Sequence, residues 1–344
     1  MRYRIFGQTG LRLSSFALGT GNFGQGWGYG SSNDEARAIY TAYRAAGGNF
    51  IDTADQYQFG QSESLVGDCI AAERDDVVLA TKFSLGDSPT AGLQRSGNSR
   101  KAMQQSVEAS LKRLKTDRID LLWVHMPDAV TPVDEIVRGL DDLSRAGKIL
   151  YGGLSDFPAW RVATATTLAE LRGQAPIVAV QLEYSLVERS VERELLPMAS
   201  ALRLGTVAWS PLGGGLLTGK YRQGDTGRVQ GLGAVVHTES DARKTATLDA
   251  VLAVAHELDR PPGHVAIAWV LAQGVLPILG PRTPSQLADN MAAADLQLSA
   301  AQMQRLDAAS AIAMGFPHEM VAATRPSLFG GQLAQIDLPP HGVR

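Results

Sequence analysis

Short apolar runs alternate with amphipathic stretches along nearly the whole chain, and this alternation predicts strands followed by helices. After an N-terminal hairpin signal (RYRIF, turn QTG, LRLS), the strand-like runs are FALGT, NFID, VVLATK, IDLLWVH, ILYGGLS, IVAVQL, TVAWS and VLPILG. Helical stretches open near Asn33, Gln61, Ser99, Val133, Pro158, Glu192 and Asp241; another lies in HVAIAWVLAQ, and a further one opens at Thr283. From Ser99 to Leu114 the helical period is clear. Met103, Val107, Ser110, Leu111 and Leu114 share one face, while Lys101, Gln104, Glu108, Lys112 and Lys115 lie largely outside it.

Strands and helices in regular alternation argue for an α/β fold closed as a (β/α)₈ TIM barrel rather than an open sheet. A barrel takes about 250 residues and tolerates insertions, so one domain over 1–344 is expected. Its core would be residues 1–310, with 311–344 as a tail. Two stretches break the rhythm: the glycine-rich loop from Pro211 to Gly233, and the tail from Ile312 onward with Pro317, Pro326, Pro339 and Pro340. In a barrel, long loops on the C-terminal face are where ligand contacts are built.

In parallel sheets the C-terminal ends of successive strands lie on one side, so residues there converge. Asp52 ends NFID, Tyr57 follows after one short loop, Lys82 ends VVLATK, and His125 ends IDLLWVH. Each alone reads as a packing or solvated residue. Their joint placement points to a proton-donating centre suited to carbonyl reduction. A tyrosine with a pKa of ~10 is a reluctant participant at neutral pH. A lysine ammonium beside it favours the tyrosinate, and a carboxylate can hold that ammonium inside the barrel. Tyr57 is therefore the expected general acid, Lys82 its tuner and Asp52 the anchor of Lys82.

Gly19-Thr20-Gly21-Asn22-Phe23-Gly24 matches G-x-G-x-x-G after a strand, and Asp52 would suit a Rossmann ribose acid. The continuation QGWGYGSS argues otherwise, because the next helix opens only near Ser32 or Asn33. Gly19, Thr20, Gly21 and Asn22 are read instead as a loop whose backbone approaches a ligand closely.

Composition removes several function classes. The net charge of −3, with no lysine or arginine run, gives no footprint for nucleic acid. One cysteine, Cys69, excludes an intramolecular disulfide. No H-x-x-x-H pair or cysteine cluster suggests a metal site; His237, His256, His264, His318 and His341 are read as ordinary residues. The N-terminus lacks a secretory apolar region and no stretch suits a bilayer span, so a soluble, cytoplasmic protein without membrane partners is expected. No apolar stripe marks a subunit interface, which leaves a monomer or a higher assembly open.

The blocks GGNFIDTADQYQFGQSESLVG, ATK, LLWVHMPD, GGLSDFP, VQLEYSLVER, VAWSPLGGGLLTGKY and LGPRTPSQLADN, in this order, resemble the aldo-keto reductase family. The YSLVER and WSPLGGGLLTGKY blocks are similar to the branch holding bacterial reductases and potassium-channel β subunits. The resemblance implies a (β/α)₈ barrel, an NADPH cofactor across its C-terminal face, and metal-free reduction of an aldehyde or ketone. It implies that His125 orients the carbonyl oxygen. Ser155, Asp156 and Gln181 match the positions bonding the nicotinamide carboxamide, although Asn is commoner than Asp at position 156. An ionised aspartate accepts from an amide but cannot donate to it.

Tyr184 is a candidate wall for the nicotinamide, since an aromatic face can stack there. Ser210, Pro211, Leu212, Gly213 and Gly215, with Lys220, offer N–H groups and a cation to a pyrophosphate. Gly280, Arg282, Gln286, Asp289 and Asn290 match the adenosine block, and Arg282 beside a helix N-terminus favours NADP over NAD. Pro281 replaces the small residue usual there. Trp27, Tyr29, Phe83, Met126 and Phe157 are candidate substrate walls for a bulky or aromatic carbonyl. The competing readings are a cofactor-binding sensor or regulatory subunit, and an NAD-dependent sugar or polyol dehydrogenase.

Overall fold

Eight of the apolar runs lie side by side in parallel and close on themselves. The computed structural model describes residues 1–223 and 237–337. Residues 224–233 of the glycine-rich loop, and Pro339, Pro340 and His341 of the tail, lie outside the described residues. Strands β1 (Tyr3–Ile5) and β2 (Arg12–Ser14) form the antiparallel hairpin. The barrel strands are β3 (Ala17–Gly19), β4 (Phe50–Asp52), β5 (Val78–Phe83), β6 (Ile119–Val124), β7 (Ile149–Ser155), β8 (Ile177–Glu183), β9 (Gly205–Trp209) and β10 (Leu276–Leu279). They pair in chain order, and β10 returns to pair with β3. No described helix is long and apolar enough to cross a membrane.

The pleat divides each strand between two cores. On β6, Leu121 and Trp123 turn into the barrel with Ala17, Phe50, Ala80 and Val207, while Leu122 and Val124 pack outward under the helices. The hairpin adds Phe6 and Leu13 to the inner core. Phe6 lies against Phe50 with ring centroids 6.1 Å apart. Gly205 makes room for it, since a Cβ there would stand 2.5 Å from the Phe6 ring. Burying a phenylalanine of this kind stabilises by roughly 1.5–3 kcal/mol.

Local capping fixes where the helices begin. Ser32 and Glu35 form a reciprocal capping box at helix Asn33–Ala45. Ser99 accepts from the Ala102 N–H at Arg100–Leu114, Asp241 caps Ala242–Leu258, and Thr283 caps Pro284–Met291. The G-x-G-x-x-G match therefore does not open a helix, and the sheet is closed rather than doubly wound. HVAIAWVLAQ is the helix Pro262–Ala272, buried along most of its length. Two helices were not anticipated. Ala300–Ala309 carries its own capping box, Ser299 with Gln302, a signature readable in the sequence. The tail forms a helix over His318–Leu328 that buries none of its residues, so no inward apolar stripe announces it.

Candidate active site

The strand register carries the chemistry to one end of the barrel. Asp52 pairs with Ala80, and Lys82 stands two residues beyond Ala80 on the same inward face. The fully buried Lys82 ammonium donates to the Asp52 carboxylate, to the Thr53 carbonyl at 3.1 Å and to the Tyr57 hydroxyl at 3.0 Å. Gln181 Nε2 donates to the other Asp52 oxygen at 2.9 Å. His125 meets the Tyr57 ring edge-on at 5.9 Å. The four strand-end residues singled out from the sequence are thus in one connected group.

Burial decides their protonation. It pushes the Tyr57 phenol up, and the Lys82 charge offsets this only in part. Lys82 does pull the tyrosine down, as expected from the sequence, but desolvation outweighs it and the phenol stays protonated. Burial also pulls the Lys82 ammonium down, but Asp52 and Tyr57 together hold it above the ordinary lysine value. His125 lies well below a normal histidine, first through burial and then through Lys82, and its Nδ1 has no hydrogen-bond partner among the described residues. It is a neutral imidazole.

A cavity of about 590 Å³ opens above this group. Its lining runs from Gly19, Gly21, Asn22, Trp27 and Tyr29, past Asp52, Tyr57, His125 and Met126, to Ser155, Asp156 and Gln181. It continues along Ser210, Pro211, Leu212, Gly215 and Lys220 to Gly280, Arg282, Gln286, Asp289 and Asn290. Gly21 lies against Tyr57: a Cβ there would stand 3.7 Å from the Tyr57 ring, in ordinary contact. Asn22 donates to the Gly280 carbonyl at 2.9 Å, tying the ends of β3 and β10 together. Asp289 is held by His264 at 3.0 Å.

Five predicted site residues stand elsewhere. Tyr184 is buried against Trp269, centroids 5.1 Å apart, and donates to Glu192 at 2.7 Å, so it cannot be the aromatic wall. Phe83 follows the inward Lys82 and therefore points outward into the helix-side core. Phe157 is buried under the Arg161 guanidinium at 5.1 Å. Thr20 is buried, its hydroxyl donating to the Asp52 carbonyl at 3.2 Å. Gly213 abuts Val187, which a Cβ would meet at 2.6 Å, and Gly214 lines the cavity instead.

Two contributors escaped the sequence reading. Trp209, the last residue of β9, lines the cavity where Tyr184 was expected, and its indole N–H donates to Asp156 at 3.1 Å. An aromatic at the end of the TVAWS run was the available signal. Gln58 is fully buried and in the left-handed region at φ 52°. It accepts from the Trp27 N–H at 2.9 Å and donates to the Gly21 carbonyl at 3.0 Å, joining the first loop to the segment carrying Tyr57. Trp27 meets the Tyr57 ring edge-on at 6.0 Å.

Behind the site, Asp55 is buried, accepts from Ser106 at 2.7 Å, and leaves Oδ1 without a partner. Burial, with nearby Glu63 adding to it, pushes its carboxyl up to about 7. The unfolded carboxyl titrates near 3.9, so the folded state binds the extra proton between these values. The contribution of this group is full below pH ~4 and lost as pH rises through about 7, up to roughly 4 kcal/mol. Asp55→Asn should then gain stability relative to wild type by roughly 2–4 kcal/mol between pH 4 and 8. Urea unfolding at both pH values measures this, and a difference independent of pH would refute it.

The sequence model of the "Aldo/keto reductase family" matches residues 15–311. The chain is 34% identical over 341 residues to "Norsolorinic acid reductase" of Aspergillus flavus, covering 96% of this chain and 86% of that protein. It is 38% identical over 311 residues to "Uncharacterized oxidoreductase YrpG" of Bacillus subtilis, covering 87% of this chain and 92% of that protein. It is 34% identical over 343 residues to "Aryl-alcohol dehydrogenase GME11368" of Pestalotiopsis microspora, covering 96% and 86%.

Proposed function

Because the chain belongs to the aldo/keto reductase family, we propose that it reduces an aldehyde or ketone to the alcohol with NADPH, reversibly, using Tyr57 as general acid. The observation that carries this reading is the Lys82 ammonium bonded to both Asp52 and Tyr57 at the floor of the cavity, with a neutral His125 beside them.

The residues present fit the nucleotide. The wall near Tyr57 offers Trp209 as a flat face and Ser155, Asp156 and Gln181 as amide partners. Further along, Gly214 and Gly215 at φ 66° and 101° expose backbone, and Lys220 and Arg282 supply positive charge. Arg282 also precedes the N-terminus of helix Pro284–Met291, where an anion is favoured. When bound, the cofactor supplies a hydride to the carbonyl carbon.

This chain's own residues do the rest. The Tyr57 hydroxyl, protonated at rest, donates its proton to the carbonyl oxygen as negative charge builds there. The Lys82 ammonium stabilises the tyrosinate left behind, and Asp52 keeps that ammonium charged. His125 donates a hydrogen bond to the same oxygen without bringing a competing charge. Trp27, Tyr29 and Met126 give the substrate side an apolar, aromatic lining that suits an aryl carbonyl. The name of the aryl-alcohol dehydrogenase relative agrees with that substrate class.

The direct test is NADPH absorbance loss over a panel of aromatic aldehydes. Turnover is expected; nucleotide binding without oxidation by any aldehyde would reject the reductase reading. Arg282→Ala should weaken NADPH binding by roughly 10–100-fold, the worth of a lost charge-assisted contact, and leave NADH unchanged. Equal losses for both nucleotides would remove the assignment of Arg282 to the 2′-phosphate.

A further inference from the structure

Asp156 brings a carboxyl group to the cavity wall. It lies just beyond β7 in the left-handed region, at φ 57°, which an aspartate tolerates and which points its chain into the cavity lining. One carboxylate oxygen accepts from the Trp209 indole N–H and the other from the Ser155 hydroxyl, both at 3.1 Å. Both donors are neutral. No lysine or arginine among the described residues forms an ion pair with it, although it is only partly exposed.

The charged groups around it do not compensate. From β8, Glu183 adds a second negative charge and is itself engaged by His237 at 2.9 Å. From β5, Lys82 offers a weaker opposing field, already committed to Asp52 and Tyr57. The carboxylate therefore faces the cavity with a negative potential that a positively charged ligand ring relieves and a neutral ring does not. Oxidised nicotinamide carries a ring charge; reduced nicotinamide does not.

We propose that Asp156 selects the oxidation state of the cofactor, its ionised form favouring binding of NADP⁺ over NADPH as pH rises. The inference rests on the nicotinamide reading given above. Burial, together with Glu183, pushes the Asp156 carboxyl up to about 6 against the pull of Trp209 and Ser155, so the charge appears within an accessible range. An amide at this position would keep the acceptor for Trp209 and lose the charge.

The test is the ratio of dissociation constants, Kd(NADPH)/Kd(NADP⁺), from equilibrium titration of the full chain between roughly pH 5 and 8.5, bracketing a carboxyl of this kind. Using the ratio cancels the 2′-phosphate ionisation common to both nucleotides. In wild type it should rise with pH by on the order of tenfold, the size of one nearby charge in a partly screened site. In Asp156→Asn it should be flat. Saturable binding with a flat wild-type ratio, or the same rise in the variant, overturns this proposal and leaves the reductase reading standing. Failure to bind either nucleotide overturns both.

Discussion

Replacing Tyr57 with phenylalanine is expected to lower the rate of carbonyl reduction by roughly 10²–10⁴-fold while leaving cofactor binding intact. The substitution removes one hydroxyl and keeps the ring, so the edge-on contacts with Trp27 and His125 survive. What disappears is the phenol bonded to Lys82. The remaining donor candidate, His125, is held neutral by burial and by the Lys82 charge, and a neutral imidazole is a poor acid at pH 7. Steady-state turnover with an aryl aldehyde, alongside nucleotide titration, separates the two effects. A variant retaining more than about a tenth of wild-type turnover would shift the acid away from Tyr57.

Lys82→Met should cost both activity and stability. The Lys82–Asp52 pair is buried, and removing one member leaves the other charge uncompensated, typically at 3–5 kcal/mol. Asp52 would keep only the Gln181 amide. Reduction should fall at least about 10²-fold, because no cation remains to stabilise the tyrosinate. The double variant Lys82→Met/Asp52→Asn removes the stranded charge, so its unfolding free energy should recover part of the loss while turnover stays low. That divergence between stability and rate is the informative result. If the double variant is no more stable than the single one, the pair is not what anchors this part of the barrel.

Much of this architecture is legible in the sequence because it rests on local rules. The strand runs are apolar and bounded by turn residues, and Ser32, Ser99, Asp241 and Thr283 cap the helices they precede. The group of Asp52, Tyr57, Lys82 and His125 is legible because side chains at strand ends converge in a barrel. Errors arose where neighbours in sequence diverge in space. Phe83 follows Lys82, and with a period of two both cannot face the cavity. Tyr184 follows β8 and Trp209 ends β9, and the packing of Trp269 against Tyr184 shows which is spent in the core. The protonation of Tyr57 depends on how far it is taken from water, a quantity fixed by the assembled site.

Gln58 has a consequence for anyone who would re-engineer this scaffold, or for the evolution that diversifies it. Its side chain holds the first loop by the Trp27 N–H and the Gly21 carbonyl, one residue away from Tyr57. The first loop and the segment carrying Tyr57 are therefore mechanically geared: a graft of the Gly21–Gly30 loop from a relative would disturb Tyr57 unless its backbone meets the same amide. Loop exchange should succeed as a module of two segments, the donor loop together with its own equivalent of Tyr57–Gly60, and fail when the loop travels alone.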